Sequence, residues 1–251
     1  PMVSAIWSMP TNLAYEMPML SFVNFFQNHG LFKIKNRPQW YTVKNRSRTY
    51  VNKVLKNISG EYFKNYNITK VERSLNGARV FYGDDNEFFD YDKVVFATHA
   101  DQTISILQNP SDEEKNILTK FNYKKNIAII HTDEKVMPIN KKAWSSWNSS
   151  INSKNLKQSS ITYWLNLLQN LNIEKNIFLT LNPFFKIDKD KIIKKIEFTH
   201  PYYNQQALSF QKSLSTIQNK KNILFCGSYF GYGFHEDGIK SSIDMLKFLD
   251  D

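Results

Sequence analysis

The chain has 251 residues, of which 41% are hydrophobic and 15% aromatic, so it can bury a sizeable core and is not a disordered chain. A single cysteine, Cys226, excludes an internal disulfide, and no apolar run reaches the ~18 residues of a membrane-spanning helix. The formal net charge is +10, but the lysines are scattered and form no block of five, so solvated faces account for the charge as well as an anionic partner does.

In chain order, Met19 to Asn28 is apolar-rich and helical, with Gly30 placed to cap its C-terminal end. Pro38 to Val43 reads as a loop entering a short strand. Ser47 is positioned to cap a helix through Tyr50, Val51, Val54 and Leu55, which recur at spacings of three and four. From Asn67 the period changes to two. Ile68 to Val71 is extended, Asn76-Gly77 is a hairpin turn, Ala78 to Tyr82 is a strand, and Gly83 to Asn86 turns again. Phe88 to Thr98 reads as one strand with Val94 to Ala97 as its core run. A helix follows over Asp101 to Leu107, and another starts at Ser111 or Asp112, with acidic residues in its first turn.

The middle region is rich in strands: Asn126 to Thr132, Ala143 to Asn148, Ser160 to Leu165, Ile177 to Leu181 and Ile192 to Thr199. A helix over Asn204 to Gln218 precedes the strand Asn222 to Cys226. The last helix, Gly238 to Leu249, carries Ile239, Ile243, Leu246 and Leu249 on one face.

Two segments carry candidate chemistry. Four of the eight glycines (Gly227, Gly231, Gly233 and Gly238) lie between the apolar strand ending at Cys226 and the last helix. Glycines there let backbone amides approach a ligand, and a helix N-terminus favours an electron-rich group. A structural loop of tight turns explains the same glycines. The second segment, Asp92 to Asp101, is a buried strand ending in small residues at a helix, the junction where open α/β sheets bind ligands. Neither matches G-x-G-x-x-G, and that fingerprint occurs nowhere in the 251 residues.

These segments, in this order, resemble the C-terminal two-thirds of flavin-containing amine oxidases. More narrowly, the chain is similar to a bacterial branch of NAD/FAD-binding proteins linked to cyclopropane-type fatty-acid modification. Ala5-Ile6-Trp7-Ser8, Arg37-Pro38-Gln39-Trp40, Thr162-Tyr163-Trp164 and the long stretch Tyr229 to Gly238 carry the narrower likeness. The resemblance implies an α/β fold: a partial FAD-binding, amine-oxidase-like domain with a mixed-sheet substrate domain, its N-terminal Rossmann βαβ missing. It divides the chain into 1–59, substrate-region helices and connection; 60–110, an FAD-domain segment; 111–219, the substrate-binding domain; and 220–251, the C-terminal FAD-domain segment.

It also implies FAD as cofactor and assigns positions toward it. Ile68 pairs with the adenine, Ala97 and Thr98 pass the pyrophosphate, and Gly227 and Ser228 lie near the ribityl chain. Glu236, Asp237 and Gly238 open the helix that faces the flavin pyrimidine edge. His235 adjoins them, either moving protons or forming a structural hydrogen bond. Trp147, Asn148, Tyr163 and Asn182 fall in the substrate region, lining a cavity or packing the sheet. The chain departs from the family before the helix near residue 47, where relatives tend to have glycines and this chain has Asn45-Arg46-Ser47-Arg48.

The implied activity is a cytoplasmic flavin oxidoreductase acting on a small-molecule or lipid substrate such as a modified fatty acid or an amine. The other reading is a non-catalytic fragment that needs a separate N-terminal FAD-binding half. Peripheral association with a membrane suits a lipid substrate. No nucleic-acid reader motif is present, and His29, His99, His131 and His200 lack metal-ligand spacing.

Overall fold

A computed structural model describes residues 2–7, 14–84, 87–155 and 158–249. The chain divides into two compact units, one of residues 1–61 and 125–200, the other of 62–124 and 201–251.

The first unit contains α1 (Met2–Ile6), α2 (Met19–Asn28), α3 (Arg48–Lys56) and α6 (Leu165–Leu168). Its five-stranded sheet has the order β6-β7-β8-β5-β9, where β5 is Asn122–His131, β6 Trp147–Ile151, β7 Ser159–Trp164, β8 Phe178–Leu181 and β9 Ile192–Tyr202. The pairings β6–β7, β7–β8 and β8–β5 are antiparallel. Ala128, Ile161 and Phe178 are buried on these strands, and Trp7 packs on Phe25 of α2 with ring centroids 4.6 Å apart. α2 ends as expected, with Gly30 at φ +63 just past the cap. No strand forms at residues 41–43: residues 32–49 are all exposed, so no neighbouring strand is there to pair with. α3 starts where expected, but Ser47 sits in helical geometry and makes no capping hydrogen bond. The strand expected over 143–148 begins at Trp147, because a 3-10 turn capped by Asn140 occupies Lys141–Ala143.

The second unit holds β1 (Ile68–Arg73), β2 (Ala78–Tyr82) and β3 (Glu87–Tyr91) as an antiparallel meander. It also holds the parallel pair β4 (Val94–Phe96) and β10 (Ile223–Phe225), with α4 (Ala100–Ile106), α5 (Asp112–Leu118), α7 (Gln205–Gln211) and α8 (His235–Met245). The single strand expected over 88–98 is two strands. β3 pairs with β2 and β4 with β10, so the chain changes sheets at Asp92-Lys93. Asp85 and Asn86 of the expected turn lie outside the described residues. Ser111, not Asp112, caps α5, accepting the Glu114 amide while Glu114 accepts the Ser111 amide.

One core joins Val71, Phe96, Leu118, Phe121, Leu214, Ile217 and Phe225. Residues 111–124 and 201–219, expected in the substrate region, therefore pack with the segments 62–110 and 220–249. The helix expected over 204–218 stops at Gln211 and continues as a 3-10 turn. α8 begins three residues before the expected start at Gly238 and ends at Met245, and the expected apolar face is mostly turned outward, although Leu249 beyond it packs against Leu224, Cys226 and Met245. Ile239, Ile243 and Leu246 are 51%, 59% and 54% exposed, while Ser241 and Met245 face inward. Helical spacing shows that a helix has an apolar face, not that this chain covers it.

Candidate functional site

The parallel pair organises the site. Val94, Val95 and Phe96 stand beside Ile223, Leu224 and Phe225, and the Cys226 amide extends the ladder to the Phe96 carbonyl at 2.9 Å. Both strands thus end together, bringing Thr98 and Gly227 to one end of the sheet. Gly227 has φ +150, a conformation open to glycine, and a Cβ there would strike the buried ring of Tyr229 at 2.8 Å. The same Cβ position lies 3.7 Å from the Thr98 carbonyl. The Gly227 amide donates to Ser241 Oγ at 2.9 Å, and Ser241 donates to the Gly238 carbonyl at 2.7 Å, which pins the loop to α8. Thr98, Gly227, Ser228 and Gly238 are thereby gathered at one place.

The loop is held from beneath by side chains. Gln211 Nε2 donates to the carbonyls of Tyr229 (3.0 Å) and Gly231 (2.6 Å), and Tyr203 donates to that of Ser228 at 3.3 Å. Burial raises the hydroxyl pKa of both Tyr203 and Tyr229, so both stay neutral. Asp237 accepts the Phe234 amide at 2.9 Å, and Gly231 packs so closely on that carboxylate that no side chain fits. Asp237 is therefore committed to the helix start. It is the backbone amides of the first turn, which lack acceptors within the helix, that suit an electron-rich ligand edge.

The other expected residues are placed as follows. Ala97 and Thr98 are exposed at the strand end. Thr103 gives its proton to the His99 carbonyl (3.0 Å), so Thr98 is the donor in its 2.8 Å bond to Thr103. His235 and Glu236 are exposed on the first turn of α8. Ile68 lies on the meander, opposite Tyr82 at a register shift, and not on the loop.

Trp147, Asn148, Tyr163 and Asn182 belong to the other unit. Trp147 and Tyr163 are cross-strand partners with ring centroids 5.5 Å apart, and the pleat turns Asn148 to the opposite face. Burial raises the Tyr163 hydroxyl pKa. Asn148 donates to the carbonyls of Ser145 and Thr162. Asn182, at φ +48, accepts the Ile127 amide at 2.9 Å and donates to Asn126 at 2.6 Å. Both asparagines hold backbone.

Residues that motif reading missed do much of the positioning. Gln218 donates to the Phe225 carbonyl (2.8 Å) and accepts the Phe225 amide (2.9 Å), occupying the outer edge of β10 as a neighbouring strand would. Gln211 and Gln218 are seven residues apart among Ala207, Leu214 and Ile217. Two polar side chains interrupting an apolar face were the available signal.

The fit to a flavin is partial. Gly238 has room for a Cβ, which would point to within 3.9 Å of the Ser228 amide. Its absence leaves a side-chain-free cradle between loop and helix, of the kind a ring edge and its ribityl chain require. A glycine fingerprint for the pyrophosphate does not occur in the sequence.

No protein-family model and no curated protein sequence matches the chain. Solved structures do. The conjugated-linoleic-acid-producing fatty acid isomerase of P. acnes matches with a TM-score of 0.56 at 12% identity, over 81% of this chain and 52% of that one. Putrescine oxidase bound to putrescine matches with 0.56 at 9%, over 83% and 54%. A protein of Exiguobacterium sp. 255-15, provisionally described as a protoporphyrinogen oxidase, matches with 0.54 at 12%, over 91% and 57%. The chain has the mixed α/β amine-oxidase fold and spans about half the length of the structures it matches.

Proposed function

We propose that this chain supplies the flavin-ring-facing part and the substrate region of an FAD-dependent oxidoreductase of the amine-oxidase type, and that a βαβ dinucleotide-binding half completes the site. The observation that carries the reading is the one-sided parallel pair. Gln218 closes the outer edge of β10, whereas β4 pairs, among the described residues, with no strand but β10, and its Val95 is 40% exposed. Parallel strands are ordinarily covered on both faces and flanked by further strands, and a βαβ unit meets that need. The likeness to the matched folds and the cradle beside Gly238 support FAD as the ligand.

When bound, FAD supplies the redox chemistry by accepting a hydride equivalent from the substrate. The chain's own residues bind and orient. Ser228 presents its backbone amide, Gly227 and Gly238 leave the approach free of side chains, and the α8 dipole favours negative charge at the ring edge. Ser241 and Gln211 fix the loop, and His235 moves a proton at the exposed helix start. The proposed substrate is a modified fatty-acyl chain, with an amine as the second choice, since the matched folds include a fatty acid isomerase and an amine oxidase.

The test is anaerobic spectroscopy of the FAD-loaded protein. Bleaching of the visible flavin band by a cyclopropane fatty acid supports the acyl reading, and bleaching by putrescine selects the amine. If neither bleaches it, the oxidoreductase reading fails.

A further inference from the structure

We propose that the stretch Phe32–Gly60, which includes α3, is a docking surface for an anionic lipid bilayer. This stretch contains eight lysines and arginines and no aspartate or glutamate. All eight basic residues are exposed, and every residue from Phe32 to Thr49 is exposed. The charge is interleaved with large apolar side chains in the same state: Trp40 is 62% exposed and Tyr41 88%. α3 continues the pattern. None of its residues is buried, yet Val51 and Val54, with Ile58 just beyond the helix, fall on one exposed face.

A nine-residue helix draws little stability from propensity alone, so an amphipathic helix with no buried residue, only Tyr50 and Leu55 being partly covered, calls for a covering partner. Charge complementarity makes that partner anionic. The apolar complement decides which anion. Valine and isoleucine have no face on which a base can stack, whereas Trp and Tyr beside aliphatic and basic side chains suit the headgroup boundary of a bilayer. A nucleic acid would leave Ile34, Val51 and Val54 in water. The net charge of the chain did not show this surface, because its basic residues alternate with apolar ones and never form a block.

The full chain is mixed with sucrose-loaded vesicles of phosphatidylcholine alone or with ~30% phosphatidylglycerol, and the bound fraction is read by sedimentation. Binding is expected only to the anionic vesicles and is lost in high salt. The exposed triple variant Lys33→Gln/Lys35→Gln/Lys44→Gln is expected to weaken binding about 100-fold while keeping the parent circular dichroism. Lipid brominated near the headgroup should quench tryptophan emission, and Trp40→Phe should remove that quenching. The proposal is overturned if no vesicles bind, if neutral vesicles bind equally, if the triple variant binds like the parent, or if single-stranded RNA binds while vesicles do not.

Discussion

The side chain of Gln218 bonds both backbone groups of Phe225, at 2.8 and 2.9 Å, and so terminates the parallel sheet on one side. Replacing it with leucine keeps the volume but strands a buried amide and a buried carbonyl. Gln218→Leu is expected to lower unfolding free energy by about 3 kcal/mol in urea denaturation.

Among the described residues no strand pairs with the opposite side of the pair. By the alternation of the parallel ladder, the amide and carbonyl of Val95 point away from β10, leaving a template for another strand. The chain is therefore expected to self-associate with rising concentration. Val95→Pro removes the outward amide without touching the bonds to β10. Sedimentation velocity should show a smaller associated fraction for that variant.

Gly231 and Asp237 test the glycine loop. Any side chain at 231 displaces the Asp237 carboxylate from the Phe234 amide. Gly231→Ala is expected to cost roughly 1–2 kcal/mol, the range of a lost helix cap. Because both changes break one interaction, Gly231→Ala/Asp237→Ala should cost clearly less than the sum of the two single variants.

His131 sets an acid limit on the first unit. Its Nδ1 accepts the Asp133 amide at 3.1 Å, so Nε2 carries the proton donated to Thr180 at 2.7 Å. Burial pushes its pKa down from 6.5 to about 4, against the opposing pull of Asp133. The unfolded imidazole binds a proton at higher pH than the folded one. The stabilisation is therefore complete above about 6.5 and is lost as the pH falls toward 4, by roughly 3 kcal/mol. Unfolding free energy measured across that range should fall steeply in the parent and be flatter in His131→Gln.

The meander was legible in the sequence because alternation, Asn76-Gly77 and the polar break after Tyr82 each mark a local event. Strand ends and glycines marked the segments of Thr98, Gly227 and Gly238 separately, and only the family resemblance placed them together. The spacing of Ile239 and Ile243 marked a helix face but not its exposure, since periodicity carries no information about what lies opposite a helix. Gln218 and Gln211 showed only as polar breaks in an apolar face, which marks them as unusual but does not say that one bonds the edge of β10 and the other the carbonyls of the glycine loop. The break at Asp92-Lys93 was hidden because two strands of different sheets follow each other almost without a loop.

The most direct measurement is thermal denaturation with and without FAD, in the parent and in Gly238→Leu. The Cβ of that substitution meets nothing closer than the Ser228 amide at 3.9 Å, so the added side chain enters the cradle without a clash at its root. The expected result is a dose-dependent rise in the parent's melting temperature with FAD and with riboflavin, and none in Gly238→Leu. Equal stabilisation of both proteins, or stabilisation of neither at saturating FAD, would contradict a flavin-facing site at Gly227, Ser228 and Gly238.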